Sequence, residues 1–108
     1  MADATAPEQT EVAPELTEVT PELKEEFEAA AEEVKTLPKD PSDTEKLKLY
    51  GLFKQGTVGD NETGKPGMLD FRAKYKWEAW TAVKGKPSAQ AMKEYIDLVK
   101  KLVEEASQ

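Results

Sequence analysis

The chain has 108 residues, with 22 acidic and 15 basic side chains, a net charge of −7, and neither histidine nor cysteine. That length suits one domain. The missing residue types exclude disulfides, cysteine-ligated zinc, iron–sulfur clusters, thiolate nucleophiles and every imidazole-based catalytic arrangement.

No apolar run nears the ~20 residues that span a bilayer. The start lacks the basic and apolar stretches of a signal peptide. A soluble, cytoplasmic protein without stable membrane insertion is the expectation. The charge, however, is unevenly spread. Residues 1–22 hold six acids and no base, whereas residues 46–101 hold 12 bases against 6 acids. A ligand meets that local field, not the average.

Residues 1–19 are rich in Thr, Pro, Glu and Ala, and a seven-residue pattern runs through Thr10–Leu16 and again through Thr17–Leu23. Prolines in both copies prevent a continuous heptad coil. The apolar content is too small to offset chain entropy. Residues 1–19 are therefore expected to be a mostly disordered acidic extension, with room for a helical turn near Glu15–Glu18. Residues 20–108 are expected to be the folded domain.

Order is expected from Thr20. Threonine is a good N-cap, Pro21 fits the first helical position, and Glu22, Glu25 and Glu26 suit the positive end of the helix dipole. Leu23, Phe27, Ala30, Ala31, Val34 and Leu37 follow helical spacing until Pro38 stops the helix. Ser42-Asp43-Thr44-Glu45 matches a capping box that opens a second helix. Leu47, Leu49, Tyr50, Leu52, Phe53 and Val58 are spread around it. Gly59 to Gly67, with three glycines and a proline, must be a loop. A third helix is predicted over about 70–83, with Phe71, Tyr75, Ala79, Trp80 and Val83 on related faces, ended by Gly85 and Pro87. From Ser88 to about residue 105, Ala91, Met92, Tyr95, Ile96, Val99, Leu102 and Val103 define a fourth. No segment alternates like a strand. The expected fold is all-α, a four-helix bundle.

Two segments carry chemistry beyond packing. Tyr50 and Lys54 lie four apart on one helical face, next to the ring of Phe53. A hydroxyl, an ammonium and a ring suit a phosphate beside a stackable base, with charge-assisted bonds of about 1.5–3 kcal/mol each. In the second segment, Arg72 and Lys76 share a face, and Trp77 and Trp80 lie three apart. Such a helix can grip phosphate or stack single-stranded nucleic acid. Both segments also fit ordinary amphipathic helices with solvated lysines, and at least one tryptophan belongs in the core. Tyr95 alone reads as a core aromatic.

These residues closely resemble the acyl-CoA-binding protein family. The resemblance is carried by Tyr50-Gly51-Leu52-Phe53-Lys54-Gln55-Gly56-Thr57-Val58-Gly59-Asp60, Pro66-Gly67-Met68-Leu69-Asp70-Phe71 and Lys74-Tyr75-Lys76-Trp77-Glu78-Ala79-Trp80. Ala30–Lys35 and Ala91–Ile96 look like the family's first and last helices. The resemblance runs from about Leu23 to Glu105. It implies a bundle whose ligand lies in a bowl between helices, with the CoA head held at positions matching Tyr50, Phe53, Lys54, Lys76 and Tyr95. Lys35 and Arg72 match further basic positions near the head. Phe27, Ala31, Lys46 (through its stem) and Leu47 match acyl-chain contacts. The implied role is non-catalytic binding, transport and pooling of medium- and long-chain fatty acyl-CoA by a monomer that meets acyl-CoA-using enzymes transiently. No cofactor, metal or nucleic acid enters that reading. The alternative is a nucleic-acid- or protein-interacting bundle using the same basic, aromatic face.

Three positions depart from the family pattern. Phe53 stands where tyrosine is commoner and offers no hydroxyl. Gly56 replaces a small side chain. Tyr75 is bulkier than many members carry and is placed to shape the rim of the groove. The acidic extension is additional to the minimal family domain.

Overall fold

The computed structural model describes residues 18–107. Helix α1 spans Pro21–Glu33 and runs into a 3-10 turn at Val34–Thr36. Helix α2 spans Asp43–Thr57, α3 Phe71–Thr81 and α4 Ser88–Ala106. No strand occurs among the described residues. The chain is thus the expected all-α, four-helix fold. Most of the expected acidic extension, with the helical turn placed near Glu15–Glu18, lies outside the described residues.

The helix starts follow local chemistry. Thr20 Oγ1 accepts from the Leu23 amide at 3.1 Å, and Pro21 sits in the first turn. Ser42 and Glu45 form the reciprocal capping box, with bonds of 3.2 and 2.9 Å. It satisfies two amides that the helix leaves unpaired. Asp70 Oδ1 accepts from the Ala73 amide at 3.3 Å.

Three ends fall short of the helical period. Leu37 is extended, with ψ 137°, because a residue before proline is excluded from the helical region. Val58 caps α2 rather than packing, and it is exposed. Gly59 follows at φ 98° and donates to the Lys54 carbonyl at 3.2 Å, a left-handed helix stop. Helix α3 ends at Thr81, so Val83 lies in the turn that Gly85 closes at φ 91°.

The main helix contacts pair α1 with α4, α4 with α2, and α2 with α3. The core lies among α1, α2 and α4. It is built from Leu23, Phe27 and Ala30, from Leu49 and Leu52, and from Met92, Tyr95, Ile96, Val99 and Leu102. Helix α3 stands outside it and buries only Trp80. It touches α2 where Gly51 meets Ala79: a Cβ on Gly51 would lie 2.5 Å from the Ala79 carbonyl oxygen. Toward the N-terminal ends of α2 and α3 the space between the two helices opens. Phe71 and Tyr75, which share a helical face with Ala79, Trp80 and Val83, are 59% and 54% exposed there. Helical period marks a common face but does not supply a neighbour to cover it.

Candidate ligand-binding site

Helix α2 is the floor of the site. Its half-buried Tyr50 faces α3, where Lys76 Nζ lies 5.1 Å from the centroid of the phenol ring. One turn on, Lys54 Nζ lies 4.9 Å from the Trp80 ring. Both are cation–π distances. They hold two ammonium groups next to aromatic faces.

The opposite flank of α2 carries a triangle of rings. Phe53 stacks on Phe27 of α1 at 5.3 Å, Tyr95 of α4 meets Phe27 edge-on at 5.1 Å, and Phe53 and Tyr95 lie 5.9 Å apart. Phe27 and Tyr95 are buried, whereas Phe53 is 37% exposed. The one ring with an open face is therefore Phe53. Burial pushes the Tyr95 phenol above its ordinary value of 10.0.

Two concave regions meet between α2 and α3. A groove of about 790 Å³ is lined by Lys46, Leu47, Phe71 and Tyr75, together with Asp43, Tyr50, Arg72 and Lys76. A recess of about 390 Å³ is walled by Thr63, Gly64, Pro66, Asp70, Trp77 and Trp80, again with Tyr50, Arg72 and Lys76. Tyr50, Arg72 and Lys76 thus line both. The exposed rings of Phe71 and Tyr75 mark the groove as the more apolar of the two.

The glycine-rich loop becomes a wall of the recess because hydrogen bonds fix it. Trp80 Nε1 donates to the Gly59 carbonyl at 2.7 Å and Trp77 Nε1 to the Thr63 carbonyl at 2.9 Å. Buried Asn61 donates to Thr81 Oγ1 at 2.9 Å and accepts from the Thr63 amide at 2.9 Å. Asp60 Oδ1 accepts from Gln55 Nε2 and from the Gly85 amide, both at 2.8 Å. The Gln55 amide and the Gly85 N–H hold the Asp60 carboxyl below its usual range.

The structure gathers Tyr50, Arg72, Lys76, Lys46 and Leu47 around the groove, with Lys54 beside the recess through Trp80. Phe53 and Tyr95 sit on the other flank of α2. Lys35 lies in the 3-10 turn, 3.2 Å from Glu32, and lines neither cavity. Phe27 is a core residue, and half-buried Ala31 packs against that core. Phe71 and the loop wall of Thr63, Gly64 and Pro66 had not been assigned to the site. The signal for Phe71 was its spacing of four from Tyr75, one step behind Arg72 and Lys76. Among the described residues, no cluster of histidine, cysteine or carboxylate groups could hold a metal ion. No described helix is long and apolar enough to cross a membrane.

An amphiphile with an anionic, aromatic head and an apolar tail is the class of ligand that this pairing of cavities suits. The sequence model of the family described as acyl CoA binding protein matches residues 24–99. An acyl-CoA-binding protein homolog of Drosophila melanogaster is 60% identical over 78 residues, covering 72% of this chain and 91% of that protein. The crystal structure of Oryza sativa acyl-CoA-binding protein 2 superposes with a TM-score of 0.78 at 54% identity, covering 81% of this chain and 95% of that one. The solution structure of the yeast acyl coenzyme A binding protein gives 0.61 at 50% identity, covering 76% and 95%. The chain belongs to the acyl-CoA-binding protein family.

Proposed function

We propose that the chain binds medium- and long-chain fatty acyl-CoA esters without transforming them, and carries and pools them in the cytoplasm. The observation that carries this reading is that Tyr50, Arg72 and Lys76 line both the recess and the more apolar groove. A ligand spanning the two would place its phosphates at their shared cations and its chain along Leu47, Phe71 and Tyr75. Lys54 adds a second ammonium to the head. Phe53 offers its open face to the adenine, with Phe27 stacked on the ring and Tyr95 tilted beside it. Lys46 lays its stem along the chain. Lys35, Phe27 and Ala31 belong to the reading through the family resemblance.

Energetics favours the same division of labour. Burying about a dozen methylenes contributes on the order of 10 kcal/mol. Nanomolar affinity requires about −12 kcal/mol after the costs of association. The tail alone falls short, so the head must be paired as well. The absence of Cys and His from the sequence removes the thiolate nucleophile and the imidazole base that would activate a hydroxyl against a thioester. Residues 20–108 form the binding domain in this reading, and residues 1–19 an added acidic extension. The carrier works as a monomer, meets acyl-CoA-using enzymes transiently, and needs no cofactor or nucleic acid.

Titration with CoA, butyryl-, octanoyl- and palmitoyl-CoA at low and high salt tests the reading. Affinity should climb with each added methylene at both salt concentrations. Affinity that ignores chain length and collapses with salt would instead mark a surface for nucleic acid or other polyanions.

A further inference from the structure

A second apolar cavity lies next to the groove, between α2, the end of α3 and the first turns of α4. Its volume is about 480 Å³, and Leu47, Leu52, Ala79, Ala82 and Val83 supply its apolar lining. Two features connect it to the groove. On α2, half-buried Leu47 lines both spaces. On α3, Phe71, Tyr75 and Ala79 recur at a spacing of four and form one row. Ala82 and Val83 carry that row past the end of the helix. Phe71 and Tyr75 belong to the groove, and Ala79, Ala82 and Val83 to the second cavity. Bulky rings thus give way to small side chains along one continuous apolar track.

The polar groups at the edge of the cavity are largely held by one another. Lys86 pairs with Glu94, and Gln90 Nε2 donates to the other oxygen of that carboxylate at 2.9 Å. The Lys86 carbonyl accepts from Gln55 Nε2 at 2.8 Å. Exposed Lys48 also lines the edge, where a lysine stem covers apolar surface while its ammonium stays in water. A second charged headgroup would find most of these partners taken and would lose its own hydration against the leucine, alanine and valine lining. An uncharged hydrocarbon that arrives from the groove meets no such cost. It exchanges water for the same kind of lining on both sides of Leu47.

We infer that this cavity takes the distal end of long acyl chains, so that Leu47 and Ala82 select chain length. The inference rests on the acyl-CoA reading and adds a second subsite to it. An ester whose chain ends in the groove stops at Leu47. A longer one passes Leu47 and buries its last methylenes against Leu52, Ala79 and Val83. Each methylene so buried raises affinity about fourfold.

The test compares decanoyl-, palmitoyl- and arachidoyl-CoA on the full wild-type chain and on Ala82→Phe by calorimetric titration. Ala82 is exposed and lines neither the groove nor the recess. A phenyl ring there should fill the cavity and leave the thermal midpoint unchanged. Wild-type affinity should climb from decanoyl- to arachidoyl-CoA. The variant should bind decanoyl-CoA as the wild type does and lose about tenfold or more with arachidoyl-CoA, the worth of about two methylenes. A second measurement needs no variant: in NMR spectra of the wild type, the terminal methyl of arachidoyl-CoA should contact Val83, and that of decanoyl-CoA should contact Phe71 or Tyr75. An equal loss for all three esters, or none for arachidoyl-CoA, would overturn the inference. So would an arachidoyl methyl found only beside Phe71 and Tyr75. Concentration-dependent self-association that Ala82→Phe abolishes would overturn it too, because a second copy would then occupy the cavity. These results leave the acyl-CoA reading standing, whereas a wild-type chain that binds none of the three esters removes both.

Discussion

Lys76 and Tyr50 meet across the α2–α3 groove, with the ammonium nitrogen 5.1 Å from the centroid of the phenol ring. The contact joins the two helices where the groove and the recess share a border. It also holds a positive charge in place before any ligand arrives, so less side-chain freedom is lost on binding. Helices α2 and α3 approach closely next to that contact, at Gly51.

Gly51→Ala should therefore destabilise the fold by about 1–3 kcal/mol, since its Cβ would strike the Ala79 carbonyl oxygen and backbone cannot yield cheaply. Gly56→Ala is the contrast. Its Cβ would meet the Met92 side chain at 3.1 Å, and a flexible thioether gives way more easily. The helix gain of about 1 kcal/mol from alanine should offset that strain and leave stability nearly unchanged. Urea denaturation of the two variants checks the difference.

The helix starts were legible in the sequence because a cap is local chemistry: Thr20, Ser42 with Glu45, and Pro21 all act within one turn. The helical spacing of Tyr50 with Lys54 and of Arg72 with Lys76 was legible, and the structure sets Tyr50, Arg72 and Lys76 around one pair of cavities. Phe71 and Tyr75 were legible as neighbours on one helical face, but periodicity assigns a face without saying whether a helix covers it, and here both line the open groove. The pairing of Lys54 with Trp80 and the knot of Gln55, Asp60 and Gly85 join distant segments. No spacing rule brings such residues together; only the packing of α2, α3 and the loop does.

Acid should act on that knot. Asp60 has its carboxyl held below the ordinary value of 3.8 by the Gln55 amide and the Gly85 N–H. A carboxyl with a depressed native value contributes stability above its unfolded value, and that contribution is lost as pH falls through the native one. Wild-type stability should thus decline as pH drops below about 3.8. Asp60→Asn should be less stable at neutral pH and show a shallower decline over the acid window. Denaturant melts at neutral and acid pH read both effects. Equal slopes for the two chains would remove Asp60 from the account.

Tyr75 forms part of the exposed wall of the groove. Tyr75→Ala should leave the melting point almost unchanged and weaken palmitoyl-CoA binding by about 1 kcal/mol, from lost apolar contact. Acetyl-CoA, too short to reach along the groove, should bind both chains alike. Paired calorimetric titrations check this. A loss of equal size for both ligands would place Tyr75 at the head instead.

The central claim is that one ligand has its phosphates at the cations of the recess and its chain in the groove. Isothermal titration of palmitoyl-CoA into the wild type, Lys54→Ala and Lys76→Ala tests it most directly, with free CoA as the comparison. Each variant should lose about 2 kcal/mol or more with palmitoyl-CoA, through lost charge-assisted bonds, and free CoA should bind the wild type far more weakly than the ester. Unchanged affinity in both variants, or free CoA binding as tightly as palmitoyl-CoA, would contradict it.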